Sequence, residues 1–135
     1  MSYLLDTNII CEVWKKIPNK SVMQWLKSVP SEELFLSVLS IGEIRRGVEK
    51  LNDSKKRRSL LQWLESDLPQ QFNQNILNID FAVADKWGFI CAQAKNTLPA
   101  IDSLLAATAL HYDLRLVTRN EKDFKVAGLE IFNPF

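Results

Sequence analysis

Five short apolar segments, Tyr3–Leu5, Leu34–Ser37, Ile76–Ile79, Leu114–Thr118 and Leu129–Phe132, are separated by longer stretches whose apolar residues recur with a helical period. A strand with one wet face alternates apolar and polar residues, whereas a strand covered on both faces reads as a short unbroken apolar run. The helical stretches carry one-sided stripes: Val22, Trp25, Leu26 and Val29; Leu60, Leu61, Leu64 and Leu68; Val83, Trp87, Ile90, Cys91 and Ala94. Ser103–Tyr112, rich in Ala and Leu almost all round, is expected to press against the sheet. Strands that alternate with helices are joined by crossovers and run parallel. The expected fold class is therefore α/β, a three-layer sandwich around a short parallel sheet.

No repeat, low-complexity tract or linker divides the 135 residues, so 1–135 is read as a single domain. A chain of this length hides roughly two-thirds of its unfolded surface. With 47% hydrophobic and 24% charged residues it is neither disordered nor a disulfide scaffold. No apolar run approaches the roughly 20 residues needed to cross a bilayer. Met1–Asp6 has no basic region and meets a carboxylate at once, unlike a signal peptide. Cys11 and Cys91 fit no zinc or CxxC spacing and are read as reduced core residues of a cytoplasmic protein.

The carboxylates fall where strands hand over to helices. Asp6 closes the first strand ahead of Thr7-Asn8. Glu43 is expected at the start of the helix after the second strand, Asp102 opens the Ala/Leu-rich helix, and Asp123, with Asn120 before it, follows Leu116-Val117-Thr118. The C-terminal ends of parallel strands share one edge, where ligand sites form, so residues distant in sequence can meet there. Each acid also has a local explanation. Asp, Ser and Asn at helix starts are ordinary caps, each contributing about 1 kcal/mol. Ser40-x-x-Glu43 has the form of a capping box, Asn120-x-x-Asp123 reads similarly, and Asp80 shows the same signature with no chemical role.

Taken together the acids mean more. Two carboxylates about 6 Å apart repel by roughly 3 kcal/mol at an effective dielectric near 20. Three in one pocket would cost on the order of 8 kcal/mol, comparable with the stability of a whole domain. Such a cluster holds protons or cations. Oxygen ligands without Cys or His suit Mg²⁺ or Mn²⁺ and not zinc. A metal there can activate water and bear the charge that develops on a phosphate, which points to metal-assisted phosphodiester hydrolysis.

Leu4-Leu5-Asp6-Thr7-Asn8, Gly42-Glu43-Ile44-Arg45-Arg46-Gly47, Ile101-Asp102-Ser103-Leu104-Leu105-Ala106-Ala107 and Leu116-Val117-Thr118-Arg119-Asn120-Glu121-Lys122-Asp123-Phe124 resemble, in order and spacing, the motifs of PIN-domain ribonucleases. More narrowly they resemble the VapC toxins of type II toxin–antitoxin modules, and the closing Asn133-Pro134-Phe135 is similar to the FitB-like branch. The resemblance covers essentially the whole chain. It implies that Asp6 and Asp102 hold Mg²⁺ most directly, with Glu43 assisting through water or acting as a base. Family members place the last acid either at the position of Asn120 or about one helical turn later, at Asp123. Asn120 being neutral, Asp123 is taken as the fourth catalytic and metal residue, with Thr7, Thr118 and Asn120 as supporting polar groups. The resemblance further implies a sheet order of 3-2-1-4-5, a homodimer, an RNA substrate, and a cognate VapB-like antitoxin whose tail blocks the cleft.

A net charge of +1 indicates no partner by itself, but its distribution is uneven. Arg45–Arg58 holds seven basic residues and two acids, a patch able to draw in a polyanion. Arg45 and Arg46 share the Glu43 helix and are the candidates for substrate binding; the Lys55–Arg58 run suits substrate or antitoxin. Trp25, Trp63 and Trp87 are read as core or dimer contacts and Trp14 as a residue of a partner groove, while the lone His111 is read as packed. Two other function classes compete. A haloacid-dehalogenase-like phosphatase with Asp6 as nucleophile would need an acid two residues on, where this chain has Asn8. A non-catalytic binding module would use its acids only as helix caps.

Overall fold

The computed structural model describes Met1–Phe135. Five strands, β1 (Tyr3–Leu5), β2 (Leu34–Ser37), β3 (Ile76–Leu77), β4 (Arg115–Val117) and β5 (Ile131–Phe132), form one sheet of order β3-β2-β1-β4-β5. Every pairing is parallel. The three later strands are shorter than their apolar runs, because those runs continue into the loops as packing residues; Leu114 and Leu129, for example, join the core from just outside β4 and β5.

Adjacent strand residues point to opposite faces. Leu5, Leu36 and Val117 therefore enter one core with Ile9, Val22, Ile44, Trp63 and Leu68, while Leu4 and Leu116 enter another with Leu105, Ala106, Ala109 and Phe124. Both sheet faces are covered, as the unbroken runs require. The first layer is built from α1 (Thr7–Glu12), α2 (Lys20–Ser28), α3 (Val38–Glu49), α4 (Lys55–Gln62) and α5 (Leu68–Phe72). The opposite layer is α6 (Phe81–Gln93) on α7 (Ala100–His111). Ala106, Ala107 and Ala109 are fully buried, and their small side chains let α7 lie close to its neighbours.

Three expectations are corrected. The stripe Leu60, Leu61, Leu64 and Leu68 does not belong to one regular helix: a π turn over Trp63–Asp67 separates α4 from α5, and the Leu68 N–H reaches back to Trp63 O. Pro69 follows directly, and its lack of an N–H and bulky ring disfavour a continuous α-helix there. Cys11 is exposed, on the outer side of α1, and Cys91 is only partly buried. His111 is exposed at the end of α7, its ring edge-on to Tyr112 at 4.7 Å. Among the tryptophans, Trp63 is buried, Trp25 packs edge-on to Tyr3 and tilted against Phe132, and Trp87 is partly buried with its indole N–H donating to Ser103 Oγ at 2.8 Å. No helix is long and apolar enough to cross a membrane.

Candidate metal centre

An open parallel sheet has its crevice where the strand order turns back, here between β1 and β4. Tyr3, Leu4 and Leu5 stand opposite Arg115, Leu116 and Val117, so Asp6 and Thr118 leave the sheet side by side. The Asp6 N–H donates to Val117 O at 2.9 Å and the Thr118 N–H to Phe132 O at 3.0 Å. The fully buried Thr118 hydroxyl donates to Asp6 Oδ2 at 2.7 Å and accepts the Asn120 N–H at 3.0 Å. Asp6 also caps α1, its Oδ1 accepting the Thr7 N–H at 2.7 Å, and Asn8 Nδ2 donates to Oδ2 at 3.2 Å.

Glu43 reaches the site from α3. That helix starts earlier than the sequence suggests: Ser37, the last residue of β2, is its cap, with Oγ accepting the Leu39 N–H at 3.1 Å. Glu43 therefore stands in the second turn and not at the helix start, and the Ser40–Glu43 capping box does not form. Thr7 Oγ1 instead lies 2.6 Å from Glu43 Oε1 and 2.9 Å from Ser40 Oγ. A carboxylate only accepts, so the single Thr7 proton goes to Glu43 and the Ser40 hydroxyl donates to Thr7.

Asp102 occupies the first turn of α7, where Pro99 holds the cap position and no side chain caps the helix. Asp123 ends an exposed 3₁₀ turn, Glu121–Asp123, and the Asn120 side chain does not cap it. Of the four acids only Asp6 is a helix cap. The reading of all of them as caps fails for Glu43, Asp102 and Asp123, while Asp80 is a true cap, its Oδ1 accepting the Val83 N–H at 2.9 Å.

Electrostatics ties the four together. Burial raises the Asp102 carboxyl above the ordinary aspartate value, and the charges of Asp6, Asp123 and Glu43 raise it further. Burial also raises Asp6; the bonds from Thr118, Thr7 and Asn8 oppose the rise and Glu43 adds to it. Cys11 is exposed as a residue, but its thiol lies against the groove beside Glu43 and is pushed up by partial desolvation there, with the charges of Glu43 and Asp6 contributing.

These residues fit a hard divalent cation. The charged groups that act on Asp102 include Asp6, Asp123 and Glu43, all carboxylate oxygens of the kind a hard cation takes. No three His, Cys, Asp or Glu groups converge into a ready-made cage. Mg²⁺ does not require one, since it keeps several waters and takes one or two carboxylates.

Sequence reasoning missed Asn8 and Ser40 as supports. Asn8 bridges the two strand ends, donating to Asp6 and accepting the Arg119 N–H at 3.3 Å. Its place two residues after Asp6 was the available signal. Replacing Thr118 by Val is expected to leave Asp6 Oδ2 with one donor fewer. The fold should lose about 1–3 kcal/mol, read by urea unfolding, and the Asp6 carboxyl should titrate higher still, read by NMR.

The basic stretch is largely matched by acids of its own. Arg45 Nε is 3.1 Å from Glu49 and its Nη1 3.3 Å from Glu65; Arg57 also pairs with Glu49, and Arg58 with Asp53. Arg46 makes no such pair. Beside Glu43 opens an apolar groove of about 270 Å³, lined by Trp14, Val48, Leu60 and Trp63 with Lys15 and Lys56 at its edges. The Trp14 ring packs on Trp63 at 5.4 Å.

A PIN-domain family model matches residues 3–129. The chain is similar to the toxin FitB of Neisseria gonorrhoeae, 36% identical over 135 residues, covering 98% of this chain and 97% of that one. It is also similar to the VapC ribonuclease Y4jK of Sinorhizobium fredii, 32% identical over 135 residues, covering 98% and 96%. Among solved structures it superposes on FitAcB from Neisseria gonorrhoeae with a TM-score of 0.92 at 36% identity, covering 98% of this chain and 97% of that one.

Proposed function

Because this chain belongs to the PIN-domain family, we propose that it is a Mg²⁺-dependent endoribonuclease, with Mn²⁺ as a substitute ion, acting as the toxin of a type II toxin–antitoxin module. The observation that carries this reading is the pair of carboxylates joined through Thr7, Asp6 at the β1–β4 crossover and Glu43 on α3, with the Asp102 carboxyl feeling both charges. RNA as the substrate is supported by the naming of the similar Sinorhizobium protein as a ribonuclease. The toxin role is supported by the likeness to FitB.

Asp6 and Asp102 would hold the ion, with Glu43 and Asp123 beside them. When bound, Mg²⁺ supplies Lewis acidity toward the phosphodiester and neutralises the acids. The chain's own groups do the rest. Thr118, Thr7 and Asn8 fix both oxygens of Asp6 and so preorganise the first carboxylate. Thr7 ties up Glu43 Oε1, leaving Oε2 to accept a proton from the attacking water. Asn120 orients Thr118 through its backbone N–H. Arg46, free of ion pairs and three residues on from Glu43 along α3, would attract the RNA backbone, whereas Arg45 would first have to leave Glu49 and Glu65.

The cognate antitoxin would be a VapB-like protein whose tail seats apolar side chains in the groove by Trp14 and Trp63 and covers the acids. The nuclease works as a single domain over residues 1–135, assembled as a homodimer, in the cytoplasm where its RNA is. The test is cleavage of a mixed pool of structured RNAs by antitoxin-free protein in Mg²⁺ or Mn²⁺ against EDTA. Metal-dependent cutting is expected. Absence of cutting together with absence of Mn²⁺ binding would overturn the reading.

A further inference from the structure

Asn133-Pro134-Phe135 follows β5 and is fastened to the loop that carries Thr118, Arg119, Asn120 and Asp123. Asn133 Nδ2 donates to Glu121 Oε2 at 3.1 Å, and the Phe135 N–H donates to Asn133 Oδ1 at 3.0 Å. Pro134 is buried, and the Phe135 ring packs against the larger core. Over that ring, 4.8 Å from its centroid, lies the guanidinium of Arg119. The Arg119 backbone is pinned at the site itself, its N–H donating to Asn8, which in turn donates to Asp6.

Arg119 is exposed and forms no ion pair, whereas Arg45, Arg57, Arg58 and Arg115 each face a carboxylate. Glu12, whose charge feels Arg119, is already engaged by Lys15 Nζ at 2.9 Å and the Asn19 N–H at 2.8 Å. A guanidinium resting on an aromatic face keeps its in-plane N–H donors free. Those donors match two oxygens of one phosphate. An RNA strand approaching four carboxylates needs cations at the rim of the site, and the Arg119 backbone is anchored there while its guanidinium forms no ion pair.

We propose that Arg119 binds a backbone phosphate of the RNA next to the scissile one, and that Phe135 is the positioning residue that presents it. The proposal rests on the ribonuclease reading above. It gives the closing Asn-Pro-Phe a task that the metal chemistry leaves open.

The experiment uses the full chain and a fluorescent RNA drawn from the pool that wild type cuts, bound in EDTA so that cleavage is absent, across a salt series. Arg119→Ala should weaken binding roughly 5- to 10-fold and lower the slope of log K against log salt by about 0.7–1. Its melting temperature should fall by a few degrees at most, the loss of one exposed cation–ring contact. Phe135→Leu keeps an apolar side chain in the core and the charge at Arg119. It should weaken binding about 2- to 5-fold with an unchanged salt slope. Wild-type binding and cutting with no change of affinity or slope in Arg119→Ala overturns this proposal alone. Weakened capture of the antitoxin with unchanged RNA affinity overturns it too, because Arg119 would then serve the protein interface. Wild type that neither binds nor cuts RNA overturns the ribonuclease reading and this proposal with it.

Discussion

Replacing Asp102 by Asn is expected to lower metal-dependent RNA cleavage by more than about 100-fold, beyond the loss typical of removing an outer-shell partner of a metal ligand. The metal-free variant should melt no lower than wild type. The two effects have one cause. The Asp102 carboxyl is raised by burial and by the charges of Asp6, Asp123 and Glu43. Its ionised form is a burden to the fold and an asset to the ion. Asn keeps the shape, loses the charge, and relieves the repulsion that the ion would otherwise neutralise. Asp80→Asn is the control. Asp80 caps α6 and accepts from Tyr112 OH at 2.9 Å, and it is not among the charges that raise Asp102. Asn caps a helix as well as Asp does, so this variant gives up only the charge and the Tyr112 bond; it should melt close to wild type and leave cleavage intact. Full activity in Asp102→Asn, or lost activity in Asp80→Asn, would refute the assignment of the centre.

Adding Mg²⁺ should stabilise the protein increasingly as the pH rises. A carboxyl that binds its proton more tightly folded than unfolded carries no penalty below the ordinary aspartate value of 3.8, where both states are protonated. As pH climbs from there through the raised folded values of Asp6 and Asp102, the folded state is progressively disfavoured, and the penalty persists above that window. Glu12 runs the other way. Its bond to Lys15 lowers it, so its contribution is present above the ordinary glutamate value of 4.5 and is lost as pH falls through the folded value. The metal-free protein at neutral pH therefore carries the full cost of its acids. An ion at 100 times its Kd contributes about 2.7 kcal/mol, at roughly 2–8 °C per kcal/mol for domains of this general size. Thermal melts with and without Mg²⁺ from pH 4 to pH 7.5 check it. The shift should be near zero at pH 4 and largest at pH 7.5, and Asp102→Asn should abolish most of it. A shift equal at all pH values, or largest in acid, would contradict an origin in the raised carboxyls.

The architecture was legible because the signals that specify it are local. Unbroken runs such as Tyr3–Leu5 and Leu34–Ser37 matched their strands to the residue, since a strand buried on both faces admits a polar residue only where it is hydrogen-bonded, as Ser37 is at the end of β2. The runs around Ile76 and Ile131 overshot their strands because packing residues and strand residues are equally apolar. The sequence also carried a false local signal. Ser40-x-x-Glu43 has the pattern of a capping box, yet Ser37 takes the cap and Glu43 turns inward to Thr7. The exposed Cys11 shows the same ambiguity: Ile9-Ile10-Cys11 is apolar throughout, and a six-residue helix carries too little periodicity to say which residue faces out.

By itself the sequence determined the alternation of strand and helix and the covering of both sheet faces, and it placed Asp6 at the end of the first strand, because each is written in the hydropathy and chemistry of neighbouring residues. The tertiary structure alone decided which polar groups hold those acids. Thr7 and Glu43 are 36 residues apart and Thr118 and Asp6 are 112 apart. Those bonds exist only because parallel register sets Leu5 opposite Val117, and α1 packs beside α3. The same packing, with no local pattern to announce it, laid Arg119 on Phe135. A hydrogen bond or a ring contact depends on distance and direction in space, and the fold supplies both only after the whole sheet has closed.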